Sequence, residues 1–188
     1  MPIVKSEQVV DSWSVLIEGA QGKAGNIFGN TENFINQSNV PDVNVEKRKV
    51  SPSVLIGLFG TKRDFLVITN TKNRKLKPFQ MFINARDYGN NLDVSWHLTY
   101  RLSFGQKLIS FLAALPLIGL LFLNKRLGNS QTELKWVPNL DFFDEQDLRV
   151  YVTNAHKCLL QAVEKLMIEL NQDPSKIDRK SRGFLGIS

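Results

Sequence analysis

Side chains that could perform acid, base or nucleophilic chemistry are sparse in this 188-residue sequence, which has two histidines and one cysteine. His97 lies in a segment of alternating residues, whereas His156 and Cys158 lie in a stretch with helical periodicity. Residues two positions apart on a helix point in nearly opposite directions, so His156 and Cys158 cannot share a metal ion. Neither histidine has another metal ligand at a usable spacing. We therefore expect no metal site and interpret Cys158 as a packed thiol.

Two other patterns could bind a phosphate or a cation, and both have simpler explanations. Gly22-Lys23 lies in a glycine-rich run, but Ile17 and Ala24 occupy positions where a phosphate-binding loop needs glycine and serine or threonine. A carboxylate cluster near the last predicted helix consists of Asp141, Asp144, Glu145 and Asp147. The helix dipole favours carboxylates at a helix N-terminus, so we interpret these residues as capping groups. No G-x-S-x-G pattern occurs either, and we predict a protein that is not an enzyme and needs no cofactor.

The composition is that of a folded, basic protein. Hydrophobic residues make up 43% of the chain and charged residues 22%, which excludes a disordered class. The net charge of +6 suits nucleic acid, anionic lipid or an acidic protein without choosing among them. A single cysteine allows no internal disulfide, and the first residues lack the pattern of a secretory signal. We therefore expect residence on the cytoplasmic side and no secretion.

The periodicity of apolar residues predicts an α+β fold. A first helix is expected over residues 6–18, from an apolar stripe of Val9, Trp13, Leu16, Ile17 and Ala20. Glycine and asparagine then favour a loop, with a short helical turn around 32–35 as an option. Strands are expected from Val43 and over 65–69, and clear alternation over 79–85 and 92–102 predicts a hairpin.

The last helix is expected to begin near Asp141 or Asp144 and to end near Asn171, because apolar residues recur there at near-heptad intervals. The whole pattern predicts an antiparallel sheet of about five or six strands, with the N-terminal helix and the long C-terminal helix packed on one face. We expect one domain over residues 1–188. It carries an apolar hairpin insertion at 104–127 and a flexible basic tail at 175–188.

The most apolar stretch covers residues 108–123, LISFLAALPLIGLLFL, and no charged residue lies between Lys107 and Lys125. A helix that is apolar on every side must be covered by protein or by lipid. Three interpretations are open: a helix buried in the core or in a partner interface, a transmembrane span, and a hairpin that dips into one leaflet. A span is disfavoured because the stretch is short for a bilayer and Pro116 interrupts the helix. We favour the hairpin, bent at Pro116.

This interpretation assigns two sets of residues to a membrane or partner contact. The inserting set is apolar and consists of Leu108, Phe111, Leu112, Leu115, Leu117, Ile118, Leu120, Leu121 and Phe122. The set that binds an anionic surface is basic and consists of Arg101, Lys107, Lys125, Arg126, Lys72, Arg74, Lys75 and Lys77. Each such cation contributes on the order of 1 kcal/mol next to anionic headgroups.

The sequence therefore predicts a membrane-associated, monotopic binding or adaptor protein on the cytoplasmic side, with an anionic membrane surface and a protein as partners. Three alternatives stay open. The chain could be a soluble subunit that docks into a larger assembly through the apolar hairpin. It could bind nucleic acid through the basic connections between strands, or carry a lipid or small ligand in a pocket under the C-terminal helix.

Overall fold

The computed structural model describes residues 9–50, 63–101, 140–183 and 185–187. Within these residues the chain forms a five-stranded antiparallel sheet in the order β1-β5-β4-β3-β2 and two α-helices. The elements in chain order are β1 (Val9–Ile17), α1 (Ala24–Gln37), β2 (Val43–Val50), β3 (Arg63–Asn70), β4 (Phe79–Tyr88), β5 (Asn91–Tyr100) and α2 (Phe142–Glu169). A short 3₁₀ turn follows at Pro174–Lys176. Both α-helices contribute to the core on one face of the sheet, which confirms the predicted α+β class.

The β4–β5 hairpin forms as its alternation predicts. Met81 pairs with Leu98 and Ile83 pairs with Trp96, and all four side chains are buried on the face that meets the helices. Period-two alternation sends neighbouring residues to the other face of a sheet. Phe82 accordingly joins a second, smaller apolar cluster with Val50 and Val67.

Helix α2 also agrees with its predicted position. It begins after Asp141, whose carboxylate accepts a hydrogen bond from the backbone N–H of Asp144 at 2.9 Å. This is an N-cap that satisfies one of the free N–H groups of the first turn. The predicted stripe is buried against the sheet at Leu148, Val152, Ala155, Leu159, Ala162 and Leu166. Tyr151 adds a polar contact, since its hydroxyl donates to the carbonyl of Ile68 at 2.7 Å.

The N-terminal helix predicted over 6–18 is wrong in its described residues, which form strand β1 instead. β1 pairs with β5 in antiparallel register, with Trp13 opposite Trp96 and Ile17 opposite Leu92. Leu16, which the helical stripe required to be buried, is 51% exposed. Valine and isoleucine favour a pleated strand, and alternate residues of this segment reach the core. The same residues fit a period of 3.6 only if Leu16 is counted as apolar core.

Helix α1 occupies the region that the sequence analysis assigned to a loop. Its two glycines and four asparagines are poor helix formers, which is why composition favoured a loop. Ile27, Phe28, Thr31 and Ile35 nevertheless recur at helical spacing and are buried. Tertiary packing of this face therefore outweighs the low intrinsic helix propensity.

The C-terminal residues lie along β1 and α2. The sequence analysis expects a flexible tail over 175–188, because the tail is polar and basic. In the described part of that range, Ile177, Leu185 and Ile187 are buried in the core. The N–H of Arg182 also donates to the carbonyl of Ser12 in β1 at 2.7 Å.

The predicted apolar insertion at 104–127 lies outside the described residues. Of the helices in the described ranges, none is long and apolar enough to cross a membrane.

Replacing Gly183 by alanine should destabilise the fold, because a Cβ there would lie 2.6 Å from Cα of Asp11 and 2.7 Å from the carbonyl oxygen of Val10. Overpacking against backbone costs about 1–3 kcal/mol. Gly25→Ala is the matched control, since the space around Gly25 in α1 is open. That change should stabilise the helix by about 0.5–1 kcal/mol. Urea unfolding measures both, and equal midpoints for the two variants would contradict the packing described for Gly183.

Candidate functional site

The described basic residues of the predicted surface-binding set gather at one end of the sheet. Lys72, Arg74, Lys75 and Lys77 lie in the turn 71–78 between β3 and β4, and Arg101 follows the end of β5. The N–H of Arg101 donates to the carbonyl of Pro78 at 2.9 Å. All five basic side chains are exposed. The sheet thus brings Arg101 to the turn although more than 20 residues separate them in sequence.

Local hydrogen bonds fix the shape of the turn 71–78. The side-chain oxygen of Asn70 accepts from the N–H groups of Lys72 at 3.2 Å and Asn73 at 2.9 Å. The side-chain oxygen of Asn73 accepts from the N–H of Lys75 at 2.9 Å. Asparagine favours such turns because its side chain mimics a backbone carbonyl. Leu76 anchors the turn in the core, so the charged residues around it point outward.

Lys75 connects this turn to the start of α2. Its ammonium lies 2.6 Å from Oδ2 of Asp141 and 2.5 Å from Oδ2 of Asp144. The hydrogen bond from Lys75, with help from the N–H of Asp144, lowers the pKa of Asp141 to about 2. The two carboxylates in turn raise the pKa of Lys75 above its ordinary value. The charge of Lys75 is therefore neutralised by Asp141 and Asp144, in a contact between the turn and the N-terminus of α2.

The described residues on either side of segment 102–139 contact the same turn. The residue before the segment, Arg101, is hydrogen bonded to Pro78. Leu140, the residue after it, packs against the core, and Asp141 is paired with Lys75. The chain therefore leaves the described fold and returns to it at one place, beside the turn 71–78.

Two exposed aromatic residues lie at this same place. Phe142 and Phe143 form the first turn of α2, and their side chains are 68% and 74% exposed. Their rings pack edge to face with centroids 5.8 Å apart. Phe142 and Phe143 were not predicted as site residues. Their position in the sequence could have indicated their exposure, since both fall outside the apolar stripe of α2 and immediately follow its capping residue.

Ion pairs divide the five cations of this end into two groups. Lys72 pairs with Asp42 at 2.6 Å, and Lys75 pairs with Asp141 and Asp144. Arg74, Lys77 and Arg101 form no ion pair with any described residue. These three are the cations that the arrangement leaves for an external anion, and we call them, together with Phe142 and Phe143, the exposed rim.

The remaining residues of the predicted contact lie outside the described ranges. The apolar members are Leu108, Phe111, Leu112, Leu115, Leu117, Ile118, Leu120, Leu121 and Phe122, and the basic members are Lys107, Lys125 and Arg126. Their roles stay predictions. What the structure adds is the position of the two residues, Arg101 and Leu140, between which they lie.

Of the histidines and the cysteine considered for chemistry, His156 and Cys158 are buried and His97 is partly buried. His156 is fully buried, and both its ring nitrogens are engaged, with Trp96 at 2.8 Å and the carbonyl of Arg179 at 2.9 Å. The thiol of Cys158 is buried, and burial raises its pKa, which disfavours the reactive thiolate. Burial also lowers the pKa of His97, which lies opposite Phe82 on the second face of the sheet.

The basic residues 47–49, which lie within strand β2, are partly neutralised within the protein. Lys47 lies 3.6 Å from Glu32, and Arg48 forms an ion pair with Glu46. These contacts reduce the positive potential that β2 could offer to a nucleic acid. The cations of the exposed rim have no such partner among the described residues.

No protein-family model, curated protein or solved structure matches this chain. In the described ranges, no group of three or more histidine, cysteine, aspartate or glutamate residues could hold a metal ion.

Lys75→Gln should lower the Tm more than Lys72→Gln. Removing Lys75 leaves Asp144, a buried carboxylate, without its cation, whereas removing Lys72 frees only the more exposed Asp42. The contact between Lys75 and Asp141 should also weaken at low pH, because Asp141 is stabilised in its charged form and loses that stabilisation as the pH falls from 3.8 towards 2. Differential scanning calorimetry of both variants tests this order, and a larger loss for Lys72→Gln would contradict it.

Proposed function

We propose that the protein is a non-catalytic binding or adaptor protein that docks on anionic phospholipid membranes through the exposed rim, on the cytoplasmic side. The supporting observation is that Arg101 and Asp141, the described residues that flank 102–139, both contact the turn 71–78. Three cations and two exposed phenylalanines lie at the same end of the described fold, and the proposal adds the apolar stretch 108–123 to them.

The attachment bears directly on how stretch 108–123 could meet a bilayer. A chain that crosses a membrane once would have its two ends on opposite sides. Here Arg101 and Asp141 are bound to one turn, through Pro78 and Lys75 respectively. A segment between them that enters lipid must return to the side it came from. A hairpin bent at Pro116 meets this requirement, and a single span does not.

The exposed rim has the composition expected of a surface that binds at a lipid headgroup layer. Each lysine or arginine near an anionic surface contributes about 1 kcal/mol, so Arg74, Lys77 and Arg101 together supply about 3 kcal/mol. A fully buried phenylalanine side chain adds about 1.5–3 kcal/mol. Stable anchoring takes two signals, and this end of the molecule offers both cations and apolar side chains.

A role in binding fits the interior better than a role in catalysis. His156 uses both nitrogens inside the fold, and Cys158 is buried with a raised pKa. A pocket under the C-terminal helix also lacks support in the described part of the chain, since fully buried Val152, Leu159 and Val163 fill the face of α2 that meets the sheet. The cytoplasmic leaflet is the side that carries anionic lipid, which suits the cationic rim.

Flotation with liposomes tests the proposal. The purified protein should float with vesicles of phosphatidylcholine and phosphatidylserine, and less with phosphatidylcholine alone. A variant with Leu115, Ile118 and Leu121 changed to aspartate should remain at the bottom. A wild-type protein that stays at the bottom with both vesicles would overturn the proposal. Co-purification of a protein through the same three residues would then favour the soluble-subunit alternative, and steeply salt-dependent binding to RNA or DNA would favour nucleic acid.

Changing the three rim cations to glutamine should weaken binding to anionic vesicles. Arg74→Gln, Lys77→Gln and Arg101→Gln together remove about 3 kcal/mol, which corresponds to roughly a 100-fold higher Kd. The matched control is Lys23→Gln, Lys176→Gln and Lys180→Gln. It removes the same charge from exposed positions outside the exposed rim. Equal losses for the two triple variants would mean that only net charge matters.

Changing Phe142 and Phe143 to glutamine should weaken vesicle binding while the salt dependence stays close to that of the wild type. The two side chains are expected to add apolar contact rather than charge. Leu16→Gln with Ile168→Gln is the matched control, because these residues are also more than half exposed and lie near the other end of the fold. Vesicle titration at low and high salt measures the effect. No difference between the two double variants would remove the phenylalanines from the site.

A further inference from the structure

The C-terminal strap, which we define as residues 177–183 and 185–187, is bound to side chains of β1 and α2. Ile177, Leu185 and Ile187 anchor it in the core. Between these anchors, the indole N–H of Trp13 donates to the carbonyl of Asp178 at 2.6 Å. The guanidinium of Arg149 donates to the carbonyl of Leu185 at 2.7 Å. The strap is thus held as a bound peptide would be, through its backbone and a few apolar side chains.

His156 holds the strap only in its neutral form. The imidazole lies between Trp13 and Trp96, with ring centroids 5.3 and 5.6 Å away, and is 0% exposed. The indole N–H of Trp96 points at Nδ1, so Nδ1 must accept a hydrogen bond. Nε2 must then carry the proton that is donated to the carbonyl of Arg179 in the strap. A second proton on Nδ1 would face the indole N–H of Trp96 and break this arrangement.

Asp11 contacts the strap through one carboxylate oxygen and its own strand through the other. The residue is 1% exposed, and Oδ2 accepts from the N–H of Leu185 in the strap at 3.0 Å, while Oδ1 accepts from the N–H of Ser12 in β1 at 2.7 Å. Gly183 allows the close approach, because any Cβ there would meet Asp11 and Val10.

Charged side chains near the strap and His156 lie on β1, on α2 and on the strap itself. Asp11 of β1 favours the imidazolium, but burial dominates and lowers the pKa of His156 below its ordinary value of 6.5. In the strap, the guanidinium of Arg179 is directed to Glu164 at 2.8 Å, and the carboxylate of Asp178 accepts from the N–H of Lys180. On α2, Arg149 is engaged with Leu185.

We infer that the C-terminal strap is an acid-released latch that keeps the edge strand β1 covered while His156 is neutral. Acid opens the latch, because a proton added to Nδ1 of His156 would face the indole N–H of Trp96 and break the hydrogen-bond pattern that holds the carbonyl of Arg179. His156 binds a proton more readily when unfolded or uncovered, so the stability it contributes is complete above pH 6.5 and is lost as the pH falls below that value. A released strap leaves β1, an edge strand, free to pair with another strand. This inference does not depend on membrane binding.

Hydrogen–deuterium exchange on the full chain tests the latch. Exchange is measured from about pH 7.5 to about pH 4.5 and corrected for the intrinsic rate at each pH. Protection of the strap should fall by up to about tenfold per pH unit as the pH falls below 6.5, the ordinary pKa of histidine, while protection of the β4–β5 hairpin persists. Simultaneous loss in strap and hairpin, or a strap whose protection does not change, would overturn the latch.

Two variants separate the latch from general acid unfolding. A glutamine side chain has both an acceptor for Trp96 and a donor for the carbonyl of Arg179, so His156→Gln should keep the strap closed and reduce its acid opening by at least about tenfold. His97→Gln is the matched control, because His97 lies on the other face of the sheet. An opening that follows His97 rather than His156 would sink the inference. If His156→Gln opens the strap at neutral pH, histidine NMR titration of the wild type decides, because the opening must share the midpoint of His156.

Discussion

The contact between Lys75 and the two aspartates at the start of α2 is the constraint on which the arrangement of this protein depends. It joins a turn of the sheet to the N-terminus of the helix that covers the sheet. The same turn holds Arg101 through Pro78, so the exit and the return of segment 102–139 are fixed together. The position of the exposed rim therefore follows from the fold of the described residues.

Much of the fold could be predicted because several elements have unambiguous periods. The alternation in β4 and β5 and the near-heptad stripe of α2 allow one assignment each. Strand β1 was predicted as a helix because Trp13 and Ile17 fit both a helical and a strand spacing. Only the exposure of Leu16 distinguishes the two assignments. Helix α1 was predicted as a loop for the opposite reason. Its glycines and asparagines oppose a helix locally, while Ile27 and Ile35 stabilise it through contacts distant in sequence.

The site could be predicted in its residue types but not in its charge balance. The cations of the turn 71–78 are visible in the sequence as a basic cluster. Their partners are not, since Asp141 is 66 positions from Lys75 and Asp42 is distant from Lys72. The C-terminal strap escaped notice because its few apolar residues are spaced among polar ones. On the strap's side, its attachment uses mainly backbone groups, which do not depend on which residues the strap contains.

The internal ion pairs change which force should dominate binding at the exposed rim. Five cations lie at this end, but Asp42, Asp141 and Asp144 offset three of the charges, so a net charge of about two remains for an anionic surface. Electrostatic attraction of that size steers a protein to a membrane but is screened at physiological salt. In the proposed docking, apolar contact from Phe142, Phe143 and stretch 108–123 would therefore supply most of the affinity. Cations that orient the molecule and apolar side chains that hold it would have complementary roles, and the contacts of Arg101 and Asp141 with the turn 71–78 fix where the chain leaves and re-enters the described fold beside the exposed rim.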